Sequence, residues 1–371
     1  MSSLKKASVI IRTHNEIRLV KKLMIALKNQ NYPNYEIIVV DSESNDGTVE
    51  TVKELGAKVV HIKDEDFTFG YSLNVGCKAA NGEILLFISG HCIPENENWI
   101  KELVKPYEDE NVGMVYGMQR GDDNTKFSES RIFKKYFLKD DNSIHERSMF
   151  CNNANNSLRK DLWEKIYFDE SFSGLEDLDM SIRINNIGYI TEYSPSAKII
   201  HIHDENWKQV ENRFKREAIA MKQMFPERNL NRYEMINLIL RRTAEDIYFN
   251  LKNGKMQFKE IFLYRLHQYR GMYEGLKKVE NSFIPPTRVY KEWNKREIIP
   301  IKIRQNKFKQ ISYISTLIAI VIFGILISLN FGILPLILST SLIWLASWIT
   351  LVPSPKETID LEDLKRENLK D

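Results

Sequence analysis

Cysteine is scarce in this 371-residue chain: there are three, Cys77, Cys92 and Cys151, and no two are spaced as Cys-x-x-Cys. A disulfide framework or a zinc ribbon is therefore not expected, and a reducing compartment fits the composition. An excess of either charge is also lacking. The formal net charge is +3, which excludes the strongly basic face of an ordinary nucleic-acid binder. No hydrophobic core of signal-peptide length opens the chain, because Ala7–Ile11 is too short, so the N-terminal domain is expected to remain cytosolic. No internal repeat is visible. With 43% hydrophobic residues, the chain can fill a sizeable core, and its length suggests about two domains at roughly 150 residues each.

One absence is local and sharp. From Gln310 to Pro355 no residue is charged. Two apolar runs, Ile311 to Leu329 and Ile333 to Val352, each approach the roughly 20 residues of a bilayer-spanning helix. Asn330-Phe331-Gly332 supplies a turn between them. Lys302, Arg304, Lys307 and Lys309 before the first run, and Lys356 after the second, place both ends on the cytosolic side. The expectation is a transmembrane hairpin at 310–355, followed by a charged cytosolic tail at 356–371.

The first 120 residues alternate strand-like and helix-like patterns. Strands are expected at Ser8–Arg12, Tyr35–Val40, Lys58–Ile62 and Glu83–Ile88, with helices over Arg18–Asn29, Thr48–Leu55 and Ser72–Ala80. That alternation implies right-handed βαβ units and a parallel sheet, with any ligand beyond the carboxyl ends of the strands. Those ends carry Thr13 to Glu16, Asp41 to Asp46, and Ser89-Gly90-His91. The pattern is less regular to about Phe225. A helical stretch follows, in which Ile261–Arg270 mixes aromatic and basic residues as a helix on a membrane surface does. A solvated helix packed on the first domain fits the same residues.

Three constellations could carry chemistry. Asp41, at a strand end with Ser44 and Asp46 nearby, can accept hydrogen bonds from a base or a ribose; Asp46-Gly47-Thr48 alone reads as a turn and helix cap. Glu176, Asp177 and Asp179 either favour a helix N-terminus or hold a general base beside an acceptor hydroxyl. His91 and the pair His201 and His203 lie at strand-to-loop junctions. An i, i+2 spacing in a strand puts both imidazoles on one face, a geometry suited to a metal or a phosphate.

In order, Val9-Ile-Ile-Arg-Thr-His-Asn-Glu16, Glu36-Ile-Ile-Val-Val-Asp-Ser-Glu-Ser-Asn-Asp-Gly-Thr48 and Ala80-Asn-Gly-Glu-Ile-Leu-Leu-Phe-Ile88 resemble family 2 glycosyltransferases of the GT-A fold. Cys151–Lys160, Phe168–Phe172 and Glu176–Asp179 resemble that family's acceptor-side region. Phe67–Asn74 and Ile200–His203, with Arg213 downstream, are similar to its rhamnosyltransferase-like branch, which builds bacterial surface polysaccharides. The resemblance spans about residues 7 to 225. It implies an α/β GT-A nucleotide-sugar-binding fold, a Rossmann-like mixed sheet flanked by helices, over 1–225. A helical, membrane-surface region at 226–309 would follow.

The resemblance also implies roles. Thr13, Asn15, Glu16, Asp41, Ser44, Asn74, Ser89 and His91 would border the donor; Asn152, Asn153 and Arg183 would lie on the acceptor side. Asp177, with Glu176 beside it, would be the catalytic base of an inverting transfer, and a weak one at an ordinary Asp pKa near 4. The family's Asp-x-Asp, which holds a divalent cation on the diphosphate, is replaced by Ser89-Gly90-His91. A Mn²⁺ or Mg²⁺ ion is thus open to question. Imidazole suits Mn²⁺ better than Mg²⁺, and Zn²⁺ better still. Either His91 and His203 hold a transition metal, or protonated His91 neutralises the phosphate, or the site is degenerate. The expected partners are a nucleotide-sugar, a lipid-linked or glycan acceptor and the cytoplasmic face of the inner membrane, with no nucleic acid. A polyprenyl-phosphate monosaccharide synthase and a non-catalytic membrane scaffold are the rival readings.

Overall fold

A computed structural model describes residues 4–137 and 150–280. The expected hairpin at 310–355 and the tail lie outside the described residues. Among these residues no helix is long and apolar enough to cross a membrane.

The elements in order are β1 (Ala7–Thr13), α1 (Ile17–Lys28), β2 (Tyr35–Ser42), α2 (Thr48–Glu54), β3 (Lys58–Ile62), α3 (Phe69–Ala79), β4 (Ile84–Ser89), β5 (Cys92–Pro94) and α4 (Trp99–Val104). They continue with β6 (Val112–Arg120), α5 (Phe127–Tyr136), β7 (Asn155–Arg159), α6 (Lys160–Ile166), α7 (Glu176–Asn186), β8 (Ile190–His201), α8 (Trp207–Met224), α9 (Arg232–Lys252) and α10 (Phe258–Glu280). The eight strands among the described residues form one sheet in the order β3-β2-β1-β4-β7-β6-β8-β5. The pairs among β1 to β4 are parallel, as the alternation predicts. β7 runs antiparallel to both β4 and β6, and β5 runs antiparallel to β8, so the whole sheet is mixed.

Alternate strand residues fill two cores. Val9, Ile11, Val39 and Leu86 pack with Val20, Leu23 and Leu27 of α1 and Trp99 of α4. Ile10, Ile38, Leu85 and Phe87 pack on the other face with Leu73 and Cys77 of α3, Trp163 of α6 and Met180 of α7. This is the near-continuous apolar run expected of strands covered on both faces. The three cysteines are buried and free. α3 begins at Phe69, three residues before the expected Ser72, because the Thr68 hydroxyl accepts the Tyr71 N–H at 3.0 Å and caps the first turn.

The helical part begins before the 225/226 boundary expected from the sequence. α8 packs along α10, and Gly271 and Gly275, one turn apart, leave room for the α8 backbone: a Cβ at either would collide with the carbonyl of Glu211 or Lys215. Ile261, Tyr264, Arg265, Gln268 and Tyr269 are all buried. Half of the aromatic and basic stretch Ile261–Arg270 is therefore interior, as the packed-helix alternative expects, while Phe262 and Arg270 stay exposed.

Candidate functional site

The carboxyl ends of β1 and β4 and the loops around β7, α7 and β8 enclose a cleft of about 700 Å³. Asp177 and Glu176 open α7 after Leu175, whose backbone is left-handed (φ 58°). Asp177 accepts the Asn153 N–H at 2.7 Å through Oδ2 and the Leu178 N–H at 2.8 Å through Oδ1. Glu176 Oε1 accepts Asn153 Nδ2 at 2.9 Å and faces Arg12 Nη1 at 3.4 Å. Asn153 is itself fixed by Asn156, whose Nδ2 donates to Asn153 Oδ1 at 2.6 Å. Burial, and next the Glu176 carboxylate, push the Asp177 carboxyl up to about 7, against the pull of the two N–H donors and Arg12. The ordinary aspartate pKa expected from the sequence thus does not hold, and a carboxyl raised this far is able to act as a general base at neutral pH.

This shift has a sign that can be checked. A carboxyl whose folded pKa lies above its unfolded value contributes stability fully present below about 4 and lost as pH rises through about 7. The melting temperature of Asp177→Asn minus that of wild type should therefore rise between pH 4 and 7 and level off above. A flat difference would contradict the buried, raised carboxyl.

Three imidazoles meet in the same cleft. The His91 and His201 rings stack at 5.2 Å, His91 and His203 lie 5.7 Å apart, and His201 and His203 4.0 Å apart. Each engages its Nδ1 with an oxygen: His91 with Glu16 Oε1 (2.8 Å), His201 with Gln119 Oε1 (2.9 Å) and His203 with Glu129 Oε1 (2.8 Å). Glu129 also accepts Arg213 Nη2 at 2.6 Å. Burial, followed by the neighbouring His203, His91 and Arg213, holds His201 well below the usual histidine range; burial and Arg213 lower His203. His201 Nε2 is buried with no hydrogen-bond partner. Such an orphan costs about 1–3 kcal/mol unless something coordinates it. One nitrogen from each ring lies within 4.8 Å of the others, a spacing that can hold a metal ion. An oxygen partner on Nδ1 with Nε2 left open is how metal-ligating histidines are ordinarily oriented. Gly90 has a steric role here: its Cβ would stand 3.1 Å from both the Arg12 carbonyl and Glu16 Cγ, crowding the carboxylate that orients His91.

The structure sorts the residues expected from the sequence. Asn15, Glu16, Ser89, His91, Asn152, Asn153, Glu176, Asp177 and His203 line the cleft. Glu16 does so as the partner of His91. Asp41 is buried, accepting Thr13 Oγ1 (3.0 Å), Ser44 Oγ (2.6 Å) and Ser44 N–H (3.0 Å). Thr13, Asp41 and Ser44 thus brace the β1 and β2 loop ends beneath the cleft. Asn74 is a correction: it does not line the cleft, and its amide ties α3 to Phe168, Glu170 and Trp163. Arg183 is another. It donates to Asp179 (2.8 Å), the Ile166 carbonyl (3.0 Å) and the Tyr167 carbonyl (2.9 Å), fastening α7 to the end of α6. Arg183→Ala should lower stability by about 1.5–3 kcal/mol in denaturant titration while leaving the acceptor KM unchanged. Arg12, Gln119, Glu129 and Arg216 escaped the sequence reading. Only its place inside the Val9–Glu16 motif marked Arg12, whose guanidinium lies 5.0 Å over Phe69, with Arg216 5.5 Å from the same ring.

The family model for glycosyl transferase family 2 matches residues 8–167. The O-antigen chain rhamnosyltransferase RfbN of Salmonella typhimurium is 28% identical over 211 residues, covering 54% of this chain and 67% of that protein. WbaN of Salmonella anatum, also an O-antigen chain rhamnosyltransferase, is 26% identical over 197 residues, 50% of this chain and 62% of its own length. A dolichyl N-acetyl-alpha-D-glucosaminyl phosphate 3-beta-D-2,3-diacetamido-2,3-dideoxy-beta-D-glucuronosyltransferase of Methanococcus voltae is 35% identical over 108 residues, 27% of this chain and 33% of that protein. The last two matches thus span less than two thirds of the relatives concerned. Among solved structures, a mannosyltransferase from Pyrobaculum calidifontis, in complex with GDP-Man and Mn²⁺, has a TM-score of 0.52 at 18% identity, covering 80% of this chain and 89% of its own. That likeness is one of fold. Residues 8–167 thus match the glycosyl transferase family 2 model, and the relatives this chain is similar to over that stretch are glycosyltransferases.

Proposed function

We propose that the protein transfers one sugar from a nucleotide-sugar to a membrane-borne acceptor, a lipid-linked glycan or polysaccharide precursor, with inversion at the anomeric carbon. The observation that carries this reading is the raised carboxyl of Asp177, clamped by two backbone N–H groups at the edge of the cleft. Each carboxylate oxygen keeps a lone pair beyond its N–H bond, able to take the proton of an acceptor hydroxyl. As that proton leaves, the hydroxyl oxygen attacks the anomeric carbon, the bond to the diphosphate breaks on the opposite face, and the nucleoside diphosphate departs. Glu176 keeps Asp177 basic by charge and is held in turn by Arg12 and Asn153. Arg12 and Arg216, gathered over Phe69, provide positive charge in the cleft for the phosphates.

The imidazoles of His91, His201 and His203 fit a divalent transition metal, and their open nitrogens would hold it. Such an ion would supply positive charge to the departing diphosphate, the task the missing Asp-x-Asp has in the family. Membrane attachment, with the catalytic domain cytosolic, draws support from the uncharged sequence between Gln310 and Pro355 and from relatives named for lipid-linked or O-antigen substrates. A thermal-shift panel of nucleotides and nucleotide-sugars tests the donor half. A ligand at a hundred times its Kd should stabilise by about 2.7 kcal/mol. No shift with any nucleotide would overturn the reading.

A further inference from the structure

Among the described residues, exposed large apolar side chains gather most densely at one place. The turn joining α9 to α10 carries Tyr248 (62% exposed), Leu251 (51%), Met256 (82%), Phe258 (41%) and Phe262 (44%). Tyr248 and Leu251 are three apart on α9, and Phe258 and Phe262 four apart on α10, so each pair lies along one face of its helix. Large apolar side chains grouped in water mark a surface that meets something.

The turn is built rather than loose. Asn250 is buried; its Oδ1 accepts the Gln257 N–H at 2.9 Å and its Nδ2 donates to Gln257 Oε1 at 3.0 Å. The Lys255 N–H donates to the Asn250 carbonyl at 2.9 Å, and Gly254 takes the left-handed conformation (φ 68°) that closes the turn. Met256 is thus presented on a fixed frame.

Charge selects the occupant. Lys252, Lys255 and Lys259 are exposed among the apolar residues. The one acid between Tyr248 and Phe262 is Glu260, whose Oε1 faces inward to accept the Phe127 N–H at 2.9 Å. A groove beside the turn adds Lys134 and Lys135, and it shares Gln119, Phe133 and Phe137 with the catalytic cleft. The tip and the cleft therefore belong to one continuous face. A protein partner would meet aromatics and lysines as well, but the remaining chain favours a bilayer, since the sequence beyond Glu280 contains the uncharged run from Gln310 to Pro355.

We propose that the α9–α10 turn is a membrane-contact tip, seating Tyr248, Leu251, Met256, Phe258 and Phe262 among the headgroups of an anionic bilayer while Lys252, Lys255 and Lys259 pair with lipid phosphates. It sets the cleft against the surface that carries the acceptor. The contact is separate from the transfer chemistry, and an Asp177→Asn variant should seat its tip as well as wild type does.

The test uses the full chain in vesicles. Because Cys77, Cys92 and Cys151 are buried, a polarity-sensitive thiol dye should report from Met256→Cys alone. Vesicles of phosphatidylcholine and phosphatidylglycerol in equal parts should shift its emission to the blue, and brominated acyl chains should quench it. The same dye on Glu54→Cys, exposed on α2, should stay water-like. Reversing Lys252, Lys255 and Lys259 to Glu should weaken tip seating by at least fivefold per lysine, the equivalent of about 1 kcal/mol each. An unshifted, unquenched Met256 probe would overturn the proposal. So would a blue shift that bromolipid leaves untouched and that accompanies cross-linking between copies, which would make the tip a self-association surface.

Discussion

Replacing Asp177 by Asn should cut sugar transfer by about 10²–10⁴-fold with the donor Kd unchanged, measured as nucleoside diphosphate release and by calorimetry. The amide cannot take a proton from the acceptor hydroxyl, and one of its two ends must present an NH₂ to a backbone N–H of Asn153 or Leu178. Asp177→Glu separates chemistry from packing, because it keeps a carboxylate on a longer arm and should recover part of the rate. The wild-type profile carries the same claim. kcat/KM should climb with pH toward about 7, the region in which Asp177 sheds its proton, and Glu176→Gln should move that limb to lower pH by removing the second carboxylate charge. A profile flat from pH 5 to 8, or transfer intact in Asp177→Asn, would remove Asp177 from the role of base.

The second large effect concerns the imidazoles. With only imidazole nitrogens converging, affinity should follow the order Mg²⁺ below Mn²⁺ below Co²⁺ and Zn²⁺. Chelated protein titrated with Co²⁺ should develop visible absorption and gain thermal stability, whereas Mg²⁺ at the same concentration should do neither. His201→Ala should abolish the Co²⁺ signal, since it removes the ligand whose Nε2 is orphaned in the interior. Glu129→Gln should weaken the signal by about 10–100-fold through His203, which it orients without being a ligand in that set. Equal response to Mg²⁺ and Co²⁺, or full transfer activity after exhaustive chelation, would contradict a metal held by these rings.

Much of this was legible because it is local. The first four strands, their parallel pairing and the polar strand ends follow from apolar runs and turns within short windows. Asp177 and His91 could be singled out because each sits at a motif end. Asn74 and Arg183 show the limit: a polar residue in a motif looks available until its partners are known, and theirs are the carbonyls and side chains of neighbouring loops. Gln119 and Glu129, which orient His201 and His203, come from β6 and α5, more than 70 residues away in sequence. No spacing rule reaches that far. Nor could the sequence supply the burial that raises Asp177. The Ile261–Arg270 stretch stayed open for the opposite reason: aromatics mixed with arginines suit a membrane surface and a packed helix equally, and only the packing against α8 separates its buried residues from exposed Phe262 and Arg270.

Turnover of a nucleotide-sugar panel by the wild-type chain in vesicles bearing lipid-linked acceptors tests the central claim most directly. The account predicts that one donor is consumed, releasing its nucleoside diphosphate and giving a product of inverted anomeric configuration. A donor that binds without being consumed, or a product that retains configuration, would contradict it.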